Sequence, residues 1–172
     1  MTDVALIETG NGGDLTLKGQ DIALQGGWGN MPYLAMFGGN LEADTIQDRI
    51  ATEQAFDWWG NNLLMENEPG NQFNSLTERT LNEVALTSAG RSAIEQSVKS
   101  DLAFMREFAE ISVSVSIISD DRIKIDIKVQ QPENLQGRID DVYKQYIFIW
   151  DATKKMLGDW SVEDFDRNDF YI

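Results

Sequence analysis

Four carboxylates, Asp44, Asp48, Glu53 and Asp57, lie close together and are the residues best suited to chemistry. A pair drawn from them, such as Glu53 and Asp57, could supply the acid and base that cleave a glycosidic bond. The same four residues could equally be the polar face of a short helix. In a chain of formal net charge -15, neighbouring carboxylates also arise by chance. Other chemistries are closed by composition. The chain has no cysteine and no histidine. That removes disulfides, thiolate nucleophiles, zinc sites of the usual ligand type, haem and iron–sulfur ligation through these residues, and Ser-His-Asp or Cys-His machinery. No Gly-x-x-x-x-Gly-Lys-Ser/Thr sequence is present, and Gly26-Gly27-Trp28-Gly29 lacks the spacing and strand-to-helix context of a dinucleotide site. Asp120-Asp121 reads as a turn and lacks calcium-loop spacing. The expectation is a protein that is not an enzyme and that uses no metal and no cofactor.

Charge narrows the partners. Residues 1–70 hold eleven acids against Lys18 and Arg49, while the remaining residues are closer to balance. Binding of DNA or RNA needs clustered Lys and Arg, so nucleic acid is not an expected partner. An acidic first portion suits solubility or a basic protein partner. No apolar run is long enough to cross a membrane, and Met1-Thr2-Asp3 does not open a signal peptide. The chain reads as intracellular, or as part of a particle assembled inside a cell.

The elements that would position any site follow from periodicity. Val4-Ala5-Leu6-Ile7 reads as a strand, Asp14 to Lys18 alternates with period two, and Asp21-Ile22-Ala23-Leu24 follows Gly19-Gln20 as the second arm of a hairpin. Met31 to Phe37 suggests one or two helical turns stopped by Gly38-Gly39-Asn40. Residues 41–73 read as a loop region around Trp58 and Trp59, a pair that either docks onto a partner or caps the protein's own core. Ser75 and Glu78 match a capping box for a helix that runs to about Leu86. Thr87 or Ser88 can cap a second helix, whose stripe Ile94, Val98, Leu102 and Met105 faces a core.

The strongest signal lies beyond that helix. Ile111, Val113, Val115 and Ile117 alternate with serines. After a turn at Ser119-Asp120-Asp121, Ile123, Ile125, Ile127 and Val129 alternate with polar residues until Pro132. This predicts an antiparallel hairpin with one buried and one wet face. Residues 143–149 read as a further strand with apolar groups on both faces. Residues 151–172 read as an acidic tail carrying Trp160, Phe165, Phe170 and Tyr171, a segment that either folds onto a partner or wraps its own domain.

The order of the Gly-Asp-Leu-x-Leu meander, Met31-Pro32-Tyr33-Leu34-Ala35-Met36-Phe37-Gly38-Gly39-Asn40, Trp58-Trp59-Gly60, the two helices and the Ile111–Val129 hairpin resembles the phage Mu-like baseplate protein family of contractile tails. That family is akin to baseplate wedge and sheath-initiator proteins, once called lysozyme-like. The resemblance covers roughly residues 3–131. Where many sheath initiators carry Glu-Pro-Arg before the hairpin, this chain has Met105-Arg106-Glu107-Phe108.

The resemblance implies a virion structural protein of the tail baseplate, assembled in the host cytoplasm and present in multiple copies in a symmetric assembly. Its implied partners are baseplate wedge proteins and the tail sheath protein, with the tail tube or hub as further candidates. Sheath subunits would add strands at an edge near Ile111, Val113, Val115, Ile123 and Ile125. Trp58, Trp59, Trp160, Phe165, Phe170 and Tyr171 would meet the wedge side. The expected fold is α+β, a small antiparallel sheet packed on two helices. Its divisions are a Gly-rich β arm (1–40), the tryptophan loop (41–73), the core domain (74–150) and the aromatic tail (151–172).

Overall fold

A computed structural model describes residues 2–8, 13–26, 28–38, 75–130 and 143–164. The N-terminal elements are β1 (Thr2–Val4), β2 (Leu6–Glu8), β3 (Gly13–Leu15), β4 (Leu17–Lys18), β5 (Asp21–Ile22), β6 (Leu24–Gly26) and helix α1 (Met31–Phe37). Then come α2 (Leu76–Glu83), α3 (Ser88–Asp101), a 3-10 turn (Ala103–Glu107), β7 (Glu110–Ser119), β8 (Arg122–Gln130), β9 (Tyr143–Asp151) and β10 (Met156–Asp164). The protein is α+β: one four-stranded antiparallel sheet in the order β10-β9-β8-β7 is packed on helices.

The sheet is built on side-chain alternation. Its register stacks apolar residues in rows that cross all four strands: Val113, Ile127, Tyr146 and Val162, and next to them Val115, Ile125, Phe148 and Trp160. Ile117, Ile123, Trp150 and Leu157 form a third row. These rows face the α3 stripe, where Ile94, Val98, Leu102 and Met105 are all buried. Burial of this apolar surface is the main favourable contribution to the fold.

The segment read as an acidic tail, folding onto a partner or wrapping its own domain, takes the second course as far as Asp164 and supplies the fourth strand. Trp160 and Val162 alternate with Asp159, Ser161 and Glu163 along β10, which pairs with β9 from Met156 to Asp164. A register shift between Leu157 and Asp159 breaks the alternation, and the acids hide the rest of it. Helix α1 closes the sheet with rings. Phe37 lies 5.5 Å from Phe148 and 6.2 Å from Trp150, and Tyr33 stacks on Trp160 at 5.2 Å. Trp160 in turn stacks on Phe148 at 5.6 Å. Such pairs add to simple area burial.

The arm differs from a meander. Each expected strand breaks at a small residue, Ala5, Thr16 or Ala23, giving three two-stranded ribbons: β1–β6, β2–β3 and β4–β5. The break residues bond one another in a closed ring. Ala5 N–H donates to the Ala23 carbonyl (2.8 Å), Ala23 N–H to Thr16 (2.8 Å), and Thr16 N–H to Ala5 (2.9 Å). The ribbon β4–β5 turns at Gly19, whose φ of 70° suits a residue without a side chain. The arm is tied to the core by Asn30 Nδ2, which donates to the Val4 carbonyl (2.6 Å), and by Tyr146 Oη, which donates to the Trp28 carbonyl (2.8 Å).

The helix starts divide between confirmation and correction. Thr87 caps α3, its Oγ1 accepting from Gly90 N–H at 3.2 Å. The expected capping box at Ser75 and Glu78 does not form. Ser75 sits in the left-handed region (φ 43°) and makes no side-chain cap bond. The cap is instead supplied from the far end of α3, where the Asp101 carboxylate accepts from Leu76 N–H (3.1 Å) and Thr77 N–H (2.7 Å). A carboxylate suits those two free donors and the positive end of the helix dipole.

Burial outweighs these bonds and raises the Asp101 pKa above its ordinary value. A raised folded-state pKa contributes stability at low pH that fades as pH climbs from the unfolded value through the raised one. Asp101→Ala is expected to cost about 1–2 kcal/mol in urea unfolding, because two helix donors lose their acceptor. Asp101→Asn keeps an acceptor and removes the buried charge. Wild type should therefore lose stability relative to Asp101→Asn as pH rises through that window. A difference between the two that stays flat with pH would contradict this assignment.

Candidate interaction surface

The sheet has two edges, and they are built differently. β10 is guarded: it carries Asp159, Glu163 and Asp164, with the irregularity beside Gly158. β7 runs for ten residues, and from Ile111 to Ser119 it holds no charged residue and no proline. Among the described residues it is bonded to a neighbouring strand, β8, on one side only. Charges, prolines and short length are the usual devices that stop an edge from recruiting another strand. β7 has one of the lesser ones, a register shift between Ile117 and Ser119.

Its two faces are distinct. Toward the helices Val115 is buried, while Ile111 and Val113 are half-buried against the core. At the far end Ile117 and Ile118 stand 38% and 51% exposed. The other face is a serine row, Ser112, Ser114 and Ser116, beside Lys124, Asp126 and Lys128 on β8. The Asp126 carboxylate accepts from Lys124 Nζ (3.2 Å) and from Gln145 Nε2 (2.9 and 3.0 Å), so this face is locally neutralised. The adjoining turn is fixed by Ser119 Oγ, which donates to Asp121 Oδ1 at 2.6 Å and lowers the pKa of that carboxyl. From the helix-covered side, Arg91 Nη1 donates to the Val115 carbonyl at 3.3 Å and also pairs with Glu95. A guanidinium on that carbonyl places the oxygen on the open side of the strand.

The residues expected to meet partners separate into three groups. Ile111 and Val113 line the open edge. Val115 does so through its main chain, its side chain being buried. Ile123 and Ile125 do not reach a partner: they lie on the central strand β8 and are fully buried, because β7 and β9 flank them and α3 covers them. Trp160 is likewise turned inward, held between the Tyr33 and Phe148 rings. Trp58, Trp59, Phe165, Phe170 and Tyr171 lie outside the described residues, as do Asp44, Asp48, Glu53 and Asp57.

Sequence reasoning treated the whole hairpin as the docking edge. Periodicity shows that two strands pair, but which of them stays at the rim depends on β9, whose pairing with β8 crosses residues 131–142. A second exposed set went unremarked, Leu15, Leu17, Ile22 and Leu24 on the arm. Its signal was available, since these residues alternate with small or polar ones on strands too short to cover them. No protein-family model, curated protein or solved structure matches the chain.

Proposed function

We propose that this chain is a non-catalytic structural component of a contractile phage tail baseplate, or of a related injection system. In this role it joins wedge proteins to the first sheath ring by accepting a strand along β7. The observation that supports the reading is the nine-residue stretch of edge, Ile111 to Ser119, without charge or proline. An incoming strand would gain main-chain hydrogen bonds along the edge. Contacts with the half-buried Val113 on one face and with the serines on the other would fix its register. The resemblance to wedge and sheath-initiator proteins supplies the choice of partners.

The test is capture from a lysate of the producing cell with tagged full-length protein, read by mass spectrometry for sheath and wedge proteins. Ile117→Lys places a charge on an exposed rim position. It is expected to cut sheath recovery at least about tenfold while the protein stays folded with only a modest drop in thermal midpoint, since the lysine stem can lie along the apolar row and carry its charge to water. Recovery of sheath unaffected by Ile117→Lys would move the contact away from β7. Release of cell-wall fragments by the pure protein, lost in Glu53→Gln, would replace this reading with a glycan-cleaving enzyme.

A further inference from the structure

Residues 111–117 read Ile-Ser-Val-Ser-Val-Ser-Ile, the same in both directions about Ser114. On a free strand this symmetry has a geometric meaning. Two copies of β7 related by a two-fold axis through Ser114 run antiparallel, as the axis requires. Ser114 then faces Ser114, Val113 faces Val115, Ser112 faces Ser116 and Ile111 faces Ile117, so every residue meets its own type.

We propose that β7 pairs with β7 of a second copy, joining two four-stranded sheets into one of eight strands. Three features favour this occupant. First, β-branched residues directly opposite one another, and serines opposite serines, are favourable cross-strand pairs. A hydroxyl is both donor and acceptor, so the serine pairs bond in either sense. Second, the chain carries a net charge of -15, and self-association elsewhere brings like charges together. The palindrome is uncharged. Third, Ile117 is 38% exposed at its end, and Ile111 of the second copy comes to lie opposite it.

The Val115 carbonyl, open-side and held here by Arg91, becomes the acceptor for the Val113 N–H of the second copy, and Arg91 keeps Glu95. The inference shares with the proposed function the premise that β7 accepts a strand. It adds that the edge is closed by its own twin until another partner displaces it.

Sedimentation velocity of the full chain, from about 1 to about 500 µM, tests it. The expected result is a rise from monomer to dimer mass. Ser114→Glu and Ser114→Lys each put like charges on the axis and are expected to weaken the dimer at least about tenfold. Mixing the two in equal amounts is expected to restore a heterodimer. Circular dichroism confirms folding, and Ser114 is an exposed position.

Should either variant misfold, Ser112→Lys with Ser116→Glu in one chain places each lysine opposite a glutamate and keeps the dimer. Ser112→Lys with Ser116→Lys abolishes it. A wild type that stays monomeric throughout, or a dimer indifferent to these charges, overturns the proposal. Monomeric protein that still captures sheath leaves the proposed function standing. A β7 dimer that captures none leaves the self-pairing standing and removes the proposed function.

Discussion

Phe148→Ala is expected to lower the free energy of unfolding by about 3–5 kcal/mol, measured by urea denaturation with circular dichroism. The side chain is fully buried on β9, and its ring is shared: Phe37 meets it from α1 at 5.5 Å and Trp160 from β10 at 5.6 Å. Removing it leaves a cavity and also separates the two elements that close the sheet from above and at its rim. The cost should therefore fall in the upper part of the range for a buried aromatic. Phe148→Leu, which fills most of the volume, should recover more than half of it. A loss below about 1 kcal/mol for Phe148→Ala would mean that α1 and β10 are held by something other than this ring cluster.

Gly90→Ala reverses the usual expectation for a glycine in a helix. Alanine is favoured over glycine there by about 1 kcal/mol, and the first turn of α3 is a permissive place. In the fold, however, Gly90 is buried where the chain doubles back from α2, and an added Cβ would overlap the Ala85 carbonyl oxygen, a main-chain atom with little room to retreat. The Thr87 cap bond to Gly90 N–H lies at the same point. The substitution is expected to destabilise by about 2–4 kcal/mol, the clash and the strained cap together exceeding the propensity gain. A stabilised Gly90→Ala in thermal or urea unfolding would show that the α2–α3 connection relaxes freely.

These two positions also mark how far the sequence could be read. The α3 stripe, the Thr87 cap and the β7–β8 hairpin were legible because each is a local pattern: period 3.6, a hydroxyl before a helix, period two on either side of a turn. The α1 helix was legible from its glycine stop. What escaped was non-local. The irregularity at Gly158 put β10 out of phase with itself, and its acids gave it the look of a tail. The Asp101 cap joins residues that lie 24 and 25 apart, so a cap search near Ser75 found the wrong partner. Gly90 is required by the carbonyl of Ala85, which no helical pattern reveals. For the interaction surface the hairpin was found but not its rim, so Ile123 and Ile125 were counted with Ile111 and Val113 although β9 seals them off.

The hydrogen-bond ring at Ala5, Thr16 and Ala23 has a consequence for how the N-terminal arm comes apart. Each ribbon is only two or three residue pairs long and leaves leucines in water, although Leu6 of β2 packs against the core, so the ribbons depend on what joins them. In the ring, each of the three residues donates to one neighbour and accepts from the other. Withdrawing any one residue removes a donor and an acceptor at once and leaves the remaining two joined by a single bond. The ring therefore couples the three ribbons, since loosening any one break residue gives up two of the three bonds that join them.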